Sequence, residues 1–270
     1  MKRKIMRDAN NPTKPNNSKR RFMLSVFAGA GTSILAGCDK LNETTWFPKV
    51  LSVGESINKG VHQFIGGRRS MAQEFTEADL SPSFRGNGNT NPDSAAYQAH
   101  AKAGFAEWTL EIDGLVGQPT KFSLDQLRAI PSRTQITRHD CVEGWSAIGK
   151  WTGVPLATLL DTVKPKANAR YALFHCADAF TGAGGKVNPY YESIDMDDAY
   201  HPQTILAYGL NGKTLPITNG APLRLRVERQ LGYKHAKYIT RIEFVEDFKT
   251  FGGGNGGYWE DRGYQWYAGI

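Results

Sequence analysis

The stretch Arg138-His-Asp-Cys-Val-Glu-Gly-Trp145 places one cysteine among basic and acidic neighbours, which is where thiol chemistry can occur. Flanking Arg and His lower a thiol's pKa, and the thiolate is the form that attacks electrophiles or ligates a soft metal. If the segment is a strand, side chains alternate and His139 shares a face with Cys141, so a nucleophilic Cys–His pair is one reading. An inert, buried cysteine is the other. There is no C-x-x-C, H-x-x-x-H or H-E-x-x-H, so a metal at Cys141 must take its other ligands from elsewhere, as an organic dithiolene cofactor would supply them. A second constellation runs from Asn219-Gly-Ala-Pro-Leu-Arg224 to Arg229-Gln-Leu-Gly-Tyr-Lys-His-Ala-Lys237. Backbone amides at a glycine turn with Arg224, Arg229, Lys234 and Lys237 converging make an anion site. A solvated basic edge strand accounts for the same residues. The spacing fits neither a P-loop nor a G-x-G-x-x-G fingerprint, which disfavours nucleotide cofactors.

Elements must hold these residues in place. Trp108-Thr-Leu-Glu-Ile-Asp alternates up to Gly114 and reads as a half-buried strand. Ser123 to Ile130 opens on a capping residue and stops before Pro131, the pattern of a short helix. Thr134 to Asp140 is a strand that delivers Cys141 to its end, and Pro155 to Val163 is a helix with Leu156, Leu159 and Leu160 on one face. Tyr171 to Cys176 and Tyr238 to Val245 read as strands, and Leu223 to Arg229 alternates sharply. Ala95 to Gly104 is a short helix. Ser81 to Asp93, dense in Gly, Asn and Pro, is an ordered loop. Strands outnumber helices without strict alternation, so one mixed α+β domain is expected over 81–250, followed by a Gly-rich, aromatic tail at 251–270.

The net charge of +7 belongs to the beginning of the chain. Residues 1–37 carry eight basic side chains and the single acid Asp8, and the other 233 residues balance 25 basic against 25 acidic groups. A nucleic-acid partner loses its main support. Ser18-Lys-Arg-Arg-Phe-Met resembles a twin-arginine export signal, and Leu35-Ala-Gly-Cys38 resembles a lipobox that would make Cys38 a lipid anchor. Residues 38–80 read as a tether and lead-in. The expected location is the periplasm, at the membrane.

Taken together, these motifs resemble the sulfite-oxidase family of molybdopterin oxidoreductases, in its bacterial periplasmic branch. The resemblance runs from about Ser81 to Phe248. It is carried by Trp108-Thr-Leu-Glu-Ile-Asp-Gly-Leu-Val116, Ser123-Leu-Asp-Gln-Leu, Cys141-Val-Glu-Gly-Trp, Trp151-Thr-Gly-Val-Pro-Leu156, His201-Pro-Gln-Thr-Ile-Leu-Ala207, and Asn219-Gly-Ala-Pro-Leu-Arg224 with Gly232-Tyr-Lys234. It implies Mo-molybdopterin as cofactor, with Cys141 ligating molybdenum. It implies that Asn219, Arg224, Gly232, Tyr233, Lys234 and Lys237 hold the pterin and its phosphate, and that Asn87, with Arg85, belongs to an early cofactor-contacting loop. His139 and Cys176 fall near the implied cofactor walls, where packing explains them as well. Tyr191, Trp145 and Trp151 are candidates for a substrate channel, again against ordinary core packing.

The implied reaction is oxygen-atom transfer on a small substrate, either reduction of an S- or N-oxide or oxidation of sulfite. Animal and plant sulfite oxidases read Ala-Gly-Asn-Arg-Arg after the cysteine; here Val142-Glu-Gly-Trp145 follows, which makes sulfite the lesser reading. With no C-x-x-C-H motif, the electrons must be exchanged with a separate protein, a cytochrome or a membrane haem subunit. Two other classes remain open. One is a non-catalytic cofactor- or anion-binding exported lipoprotein of the same fold, and the other is a metal-independent Cys–His hydrolase or transferase.

Overall fold

A computed structural model describes residues 70–270 continuously, and only scattered positions between 44 and 67 before them. The expected leader 1–37, the anchor candidate Cys38 and much of the expected tether lie outside the described residues. The unit Asn58–Ile270 holds every element that frames the site.

In chain order the elements are α1 (Ala95–Lys102), β1 (Thr109–Gly114), β2 (Thr120–Ser123), α2 (Leu124–Ala129), β3 (Arg133–Cys141), β4 (Trp145–Pro155), α3 (Leu156–Val163), β5 (Tyr171–Thr181), β6 (Val187–Asp195), α4 (Met196–Ala199), β7 (Ile205–Leu210), β8 (Lys213–Thr214), β9 (Arg224–Arg226) and β10 (Ile239–Val245). They build two sheets. The first has the order β2-β1-β10-β5-β6, with β1 parallel to β10 and its other neighbours antiparallel. The second has the order β3-β4-β7-β8, with β9 on β7. Over residues 70–270 the architecture is mixed α and β, with four short helices set among strands that do not alternate with them.

Local chemistry explains the elements that position the site. In α2, the Ser123 hydroxyl accepts from the Gln126 amide and the Gln126 side chain accepts from the Ser123 amide, closing a capping box. Helix α3 has only eight residues, too few to be stable alone. It persists because Leu156, Leu159, Leu160 and Val163 are fully buried, each contributing roughly 1.5–3 kcal/mol before the cost of ordering. The main core takes in the buried faces of these helices and residues of both sheets, around Leu110, Ile112, Leu127, Phe174, Leu206 and Ile242.

Two expectations need correction. The alternation of Leu223–Arg229 is not that of a strand with one wet face: only Arg224–Arg226 is strand, and Leu223 to Glu228 is buried throughout. A solvated basic edge is thereby excluded for this segment. Strand β4 is absent from the sequence reading because Gly149 and Gly153 interrupt its pattern. Gly153 is required by the fold: a Cβ there would lie 2.2 Å from the Leu206 carbonyl oxygen, at the point where the β4–β7 register shifts.

Candidate active site

Strand β3 ends at Cys141, which pairs across the hairpin with Trp145, and Val142-Glu-Gly144 forms the turn between them. The loop 81–93 lies over this hairpin end. Asn87 Nδ2 donates to Cys141 Sγ at 3.1 Å. Lys237 Nζ donates to the carbonyls of Asn87 (2.6 Å) and Asn89, Tyr238 Oη donates to Asn89 O (3.0 Å), and Asn219 Nδ2 donates to Phe84 O (3.3 Å). The basic stretch therefore fixes the loop, and the loop fixes the sulfur. Cys141 is 7% exposed, and burial holds its thiol above the ordinary range, with Glu143 adding to the effect. The Glu143 amide, Arg85 and Asn87 pull the other way without winning. The flanking basic residues thus do not produce the free thiolate that the sequence suggests. A bound metal would have to displace the proton.

His139 shares the buried face of β3, yet among the described residues no hydrogen bond joins it to Cys141. Its Nδ1 accepts from Arg226 Nη1 at 2.9 Å, which leaves the proton on Nε2. Burial and the nearby Arg226 and Arg224 push its pKa far down, so the ring is neutral. A Cys–His nucleophile is not assembled. The His139 ring packs so tightly on Gly232 that a Cβ there would stand 2.5 Å from Nε2, which is why this loop position is glycine.

The cations of the second constellation have different partners. Arg226 is closed by Glu228, with Nε to Oε1 at 2.9 Å and Nη2 to Oε2 at 2.5 Å, and its guanidinium lies 4.5 Å from the Trp151 ring centre. Lys234 is closed by Glu192 (2.5 Å) and Glu260 (2.6 Å). Arg224 is 5% exposed and donates from Nη1 to Asn219 O at 2.8 Å, but its buried Nε has no partner and no ion pair is formed among the described residues. Burial, with Arg226 adding, lowers its pKa to about 9. Lys237 is lowered to about 7 by burial first and Arg224 second, and burial raises Asp178 to about 7.

Arg224, Lys237 and Asp178 line one cleft together with Cys141. Of the residues singled out in the sequence, Arg85, Asn87, His139, Cys141, Arg224, Gly232, Tyr233 and Lys237 line it, as does Trp145. The others are placed elsewhere. Asn219 acts behind the wall, on the 81–93 loop and on Arg224. Lys234 is enclosed in its carboxylate pair. Trp151 is fully buried beneath the two arginines. Cys176 and Tyr191 line a neighbouring cleft, where Tyr191 Oη donates to Asp261 at 2.6 Å. Burial raises the Cys176 thiol far above its usual range.

The sequence reading missed Asp178, Phe180, Tyr190, His235, Trp259 and Tyr264, all of which line the Cys141 cleft. The first three sit on strands whose parity a bulge between His175 and Ala179 resets. The last two come from the aromatic tail, whose composition was the only available signal.

Cys141, whose sulfur lines the cleft beside Asn87, is the residue that would ligate a metal there. The cleft fits a phosphate-bearing, dithiolene-type cofactor on three counts. It offers one sulfur donor, an open buried cation at Arg224, and two orphaned buried polar atoms, Asp178 Oδ1 and His235 Nδ1, to meet polar ring edges.

Comparison with known proteins agrees. Residues 97–250 match the oxidoreductase molybdopterin-binding domain. A protein of Azospira oryzae, provisionally named protein-methionine-sulfoxide reductase subunit YedZ1, is 36% identical over 252 residues, covering 93% of this chain and 88% of that one. The protein-methionine-sulfoxide reductase catalytic subunit MsrP of Xanthomonas axonopodis pv. citri is 39% identical over 238 residues, covering 84% of this chain and 70% of its own. Among solved structures, the sulfane dehydrogenase SoxCD of Paracoccus pantotrophus aligns with a TM-score of 0.46 at 23% identity, covering 53% of this chain and 39% of that one.

Proposed function

The chain belongs to the oxidoreductases built on the molybdopterin-binding domain, and from that premise we propose that it reduces methionine sulfoxide in exported proteins, as the catalytic subunit of a membrane-associated system. Its class is that of a Mo-molybdopterin-dependent oxidoreductase acting by oxygen-atom transfer on a small substrate group, with a separate subunit as redox partner. The reaction consumes two electrons and two protons: the S–O bond breaks, the sulfur returns to the thioether and the oxygen leaves as water.

The observation that carries this reading is the meeting of Asn87, Cys141 and the open Arg224 in one aromatic cleft. When bound, Mo-molybdopterin supplies the two-electron centre and the acceptor for the substrate oxygen. Cys141 supplies the protein ligand, and Asn87 orients its sulfur. Arg224, with Nε free, suits the cofactor phosphate. Asn219 and Lys237 hold the 81–93 loop so that Asn87 stays in reach. The walls contain aromatic rings, and the carboxyl groups of Glu143 and Asp178 stand in the same cleft. Arg224 and Lys237 are there to meet the cofactor, and at Cys141 itself Glu143 stands against Arg85, which suits a neutral S-oxide better than an anion such as sulfite.

Export and anchoring are part of the proposal and are supported by Arg20-Arg21 and by Leu35-Ala-Gly-Cys38. Cys38→Ser is expected to release the protein from the membrane fraction. The main test is turnover of a methionine-sulfoxide peptide against sulfite by the metal-loaded protein with an artificial electron carrier. The peptide should be reduced, and Cys141→Ser should abolish turnover with an unchanged circular-dichroism spectrum. Turnover of sulfite alone would overturn the substrate, and full activity in Cys141→Ser would overturn the site.

A further inference from the structure

The C-terminal tail, residues 251–270, lies beyond the matched family domain, yet it forms one wall of the Cys141 cleft. It is tied back at several places. Gly257 bridges to Glu192 of β6, Leu231 N donates to Ala268 O (2.9 Å), and Ile270 N donates to Arg229 O (3.1 Å). The turn Glu260–Arg262 is held by side chains on both sides. Glu260 enters the buried pair with Lys234, and Asp261 accepts from Tyr191 Oη and from the Gly253 amide (2.6 Å each).

This anchoring presents two rings to the cleft. Trp259 and Tyr264 stack at 5.4 Å with an interplanar angle of 30°. Tyr264 meets the edge of Tyr233 at 5.2 Å, and Tyr233 Oη donates to Gln265 O at 2.6 Å. In the same cleft, the Arg85 guanidinium lies 4.9 Å from the Trp145 ring centre. Tyr264 is 38% exposed, so this wall reaches the mouth.

Aromatic faces and edges attract polarizable sulfur and its methyl group, whereas a guanidinium donates to a polarised S–O oxygen. We infer that Trp259 and Tyr264 are specificity-determining residues, forming a wall that takes the S-methyl end of a methionine sulfoxide side chain while the peptide backbone stays at the mouth. The inference rests on the proposed reduction of methionine sulfoxide. It assigns to the tail a role that the family domain does not contain.

The test compares wild type with Trp259→Ala, Tyr264→Ala and the conservative Trp259→Phe on two probes, a methionine-sulfoxide peptide and dimethyl sulfoxide. Molybdenum per chain and melting temperature are measured in parallel. In each alanine variant KM for the peptide should rise about tenfold with kcat changed by much less, and the peptide-over-dimethyl-sulfoxide preference in kcat/KM should fall several-fold. Trp259→Phe should recover most of the loss. Peptide KM at the wild-type value in both alanine variants would overturn the wall while leaving the proposed function standing. An equal loss on both probes, or a loss of molybdenum, would reassign the rings to the cofactor or the fold. A wild-type enzyme inactive on the peptide would overturn the proposed function, and the wall with it.

Discussion

Arg224 and Lys234 lie ten positions apart in one basic stretch and are both buried, yet their surroundings are opposite. Lys234 faces two carboxylates, Glu192 and Glu260, and its pKa rises because that attraction outweighs burial. Arg224 faces no carboxylate partner among the described residues, its Nε is orphaned, and burial lowers its pKa to about 9. A buried charge that is compensated within the chain is part of the fold, while one that is left open needs a ligand to complete it. The same test separates Arg226, closed by Glu228, from Arg224 two residues earlier on β9. Basic residues in a row thus divide into structural and binding roles by the partners the fold brings to them.

Breaking the closed site should have the largest effect. Lys234→Ala leaves Glu192 and Glu260 buried together without their cation, and should cost about 3–5 kcal/mol in urea unfolding. If stability were unchanged while cofactor content fell, Lys234 would belong with Arg224. Breaking the open site should spare the fold. Arg224→Ala should leave cofactor-free stability within about 1 kcal/mol of wild type, and should weaken cofactor retention by the ~1.5–3 kcal/mol of lost charge-assisted hydrogen bonds, read as molybdenum per chain after dialysis. A large stability loss without any loss of metal would reverse the contrast.

The smallest effect concerns protonation of Cys141. With its thiol held above the usual range by burial, labelling of Cys141 by iodoacetamide in cofactor-free protein should rise with pH and reach half its maximum above the value for a free cysteine, as mapped on the Cys141 peptide. Glu143 raises and Arg85 lowers this pKa. Glu143→Gln should therefore shift the labelling midpoint down and Arg85→Ala should shift it up. An unmoved midpoint in both variants would mean that neither charge acts on the sulfur.

Much of the site's frame was legible. The alternation of Thr134–Asp140, the capping residue Ser123 and the leucine face of α3 depend on neighbours a few residues away, and each element formed where its pattern placed it. The loop 81–93 was legible as ordered because Gly, Asn and Pro determine turns locally. Strand β6 was not read, so its parity was unknown: Tyr190 reaches the Cys141 cleft, while Tyr191, the next residue, lines only the neighbouring one of the two. A bulge in β5 likewise sets Cys176 in that second cleft and Asp178 in the first.

By itself, the sequence determined the chemistry available: a lone cysteine at a strand end, a cation-rich anion-binding stretch, and an excess charge confined to the first 37 residues. Only the tertiary structure decided which cations remain open and which aromatic rings reach the cleft. Compensation of Lys234 depends on carboxylates 42 and 26 positions away, and the tail becomes a wall only after it folds back onto β6. Local patterns carry the first kind of information because their physics is local. Partners distant in the chain meet only when the whole domain is assembled.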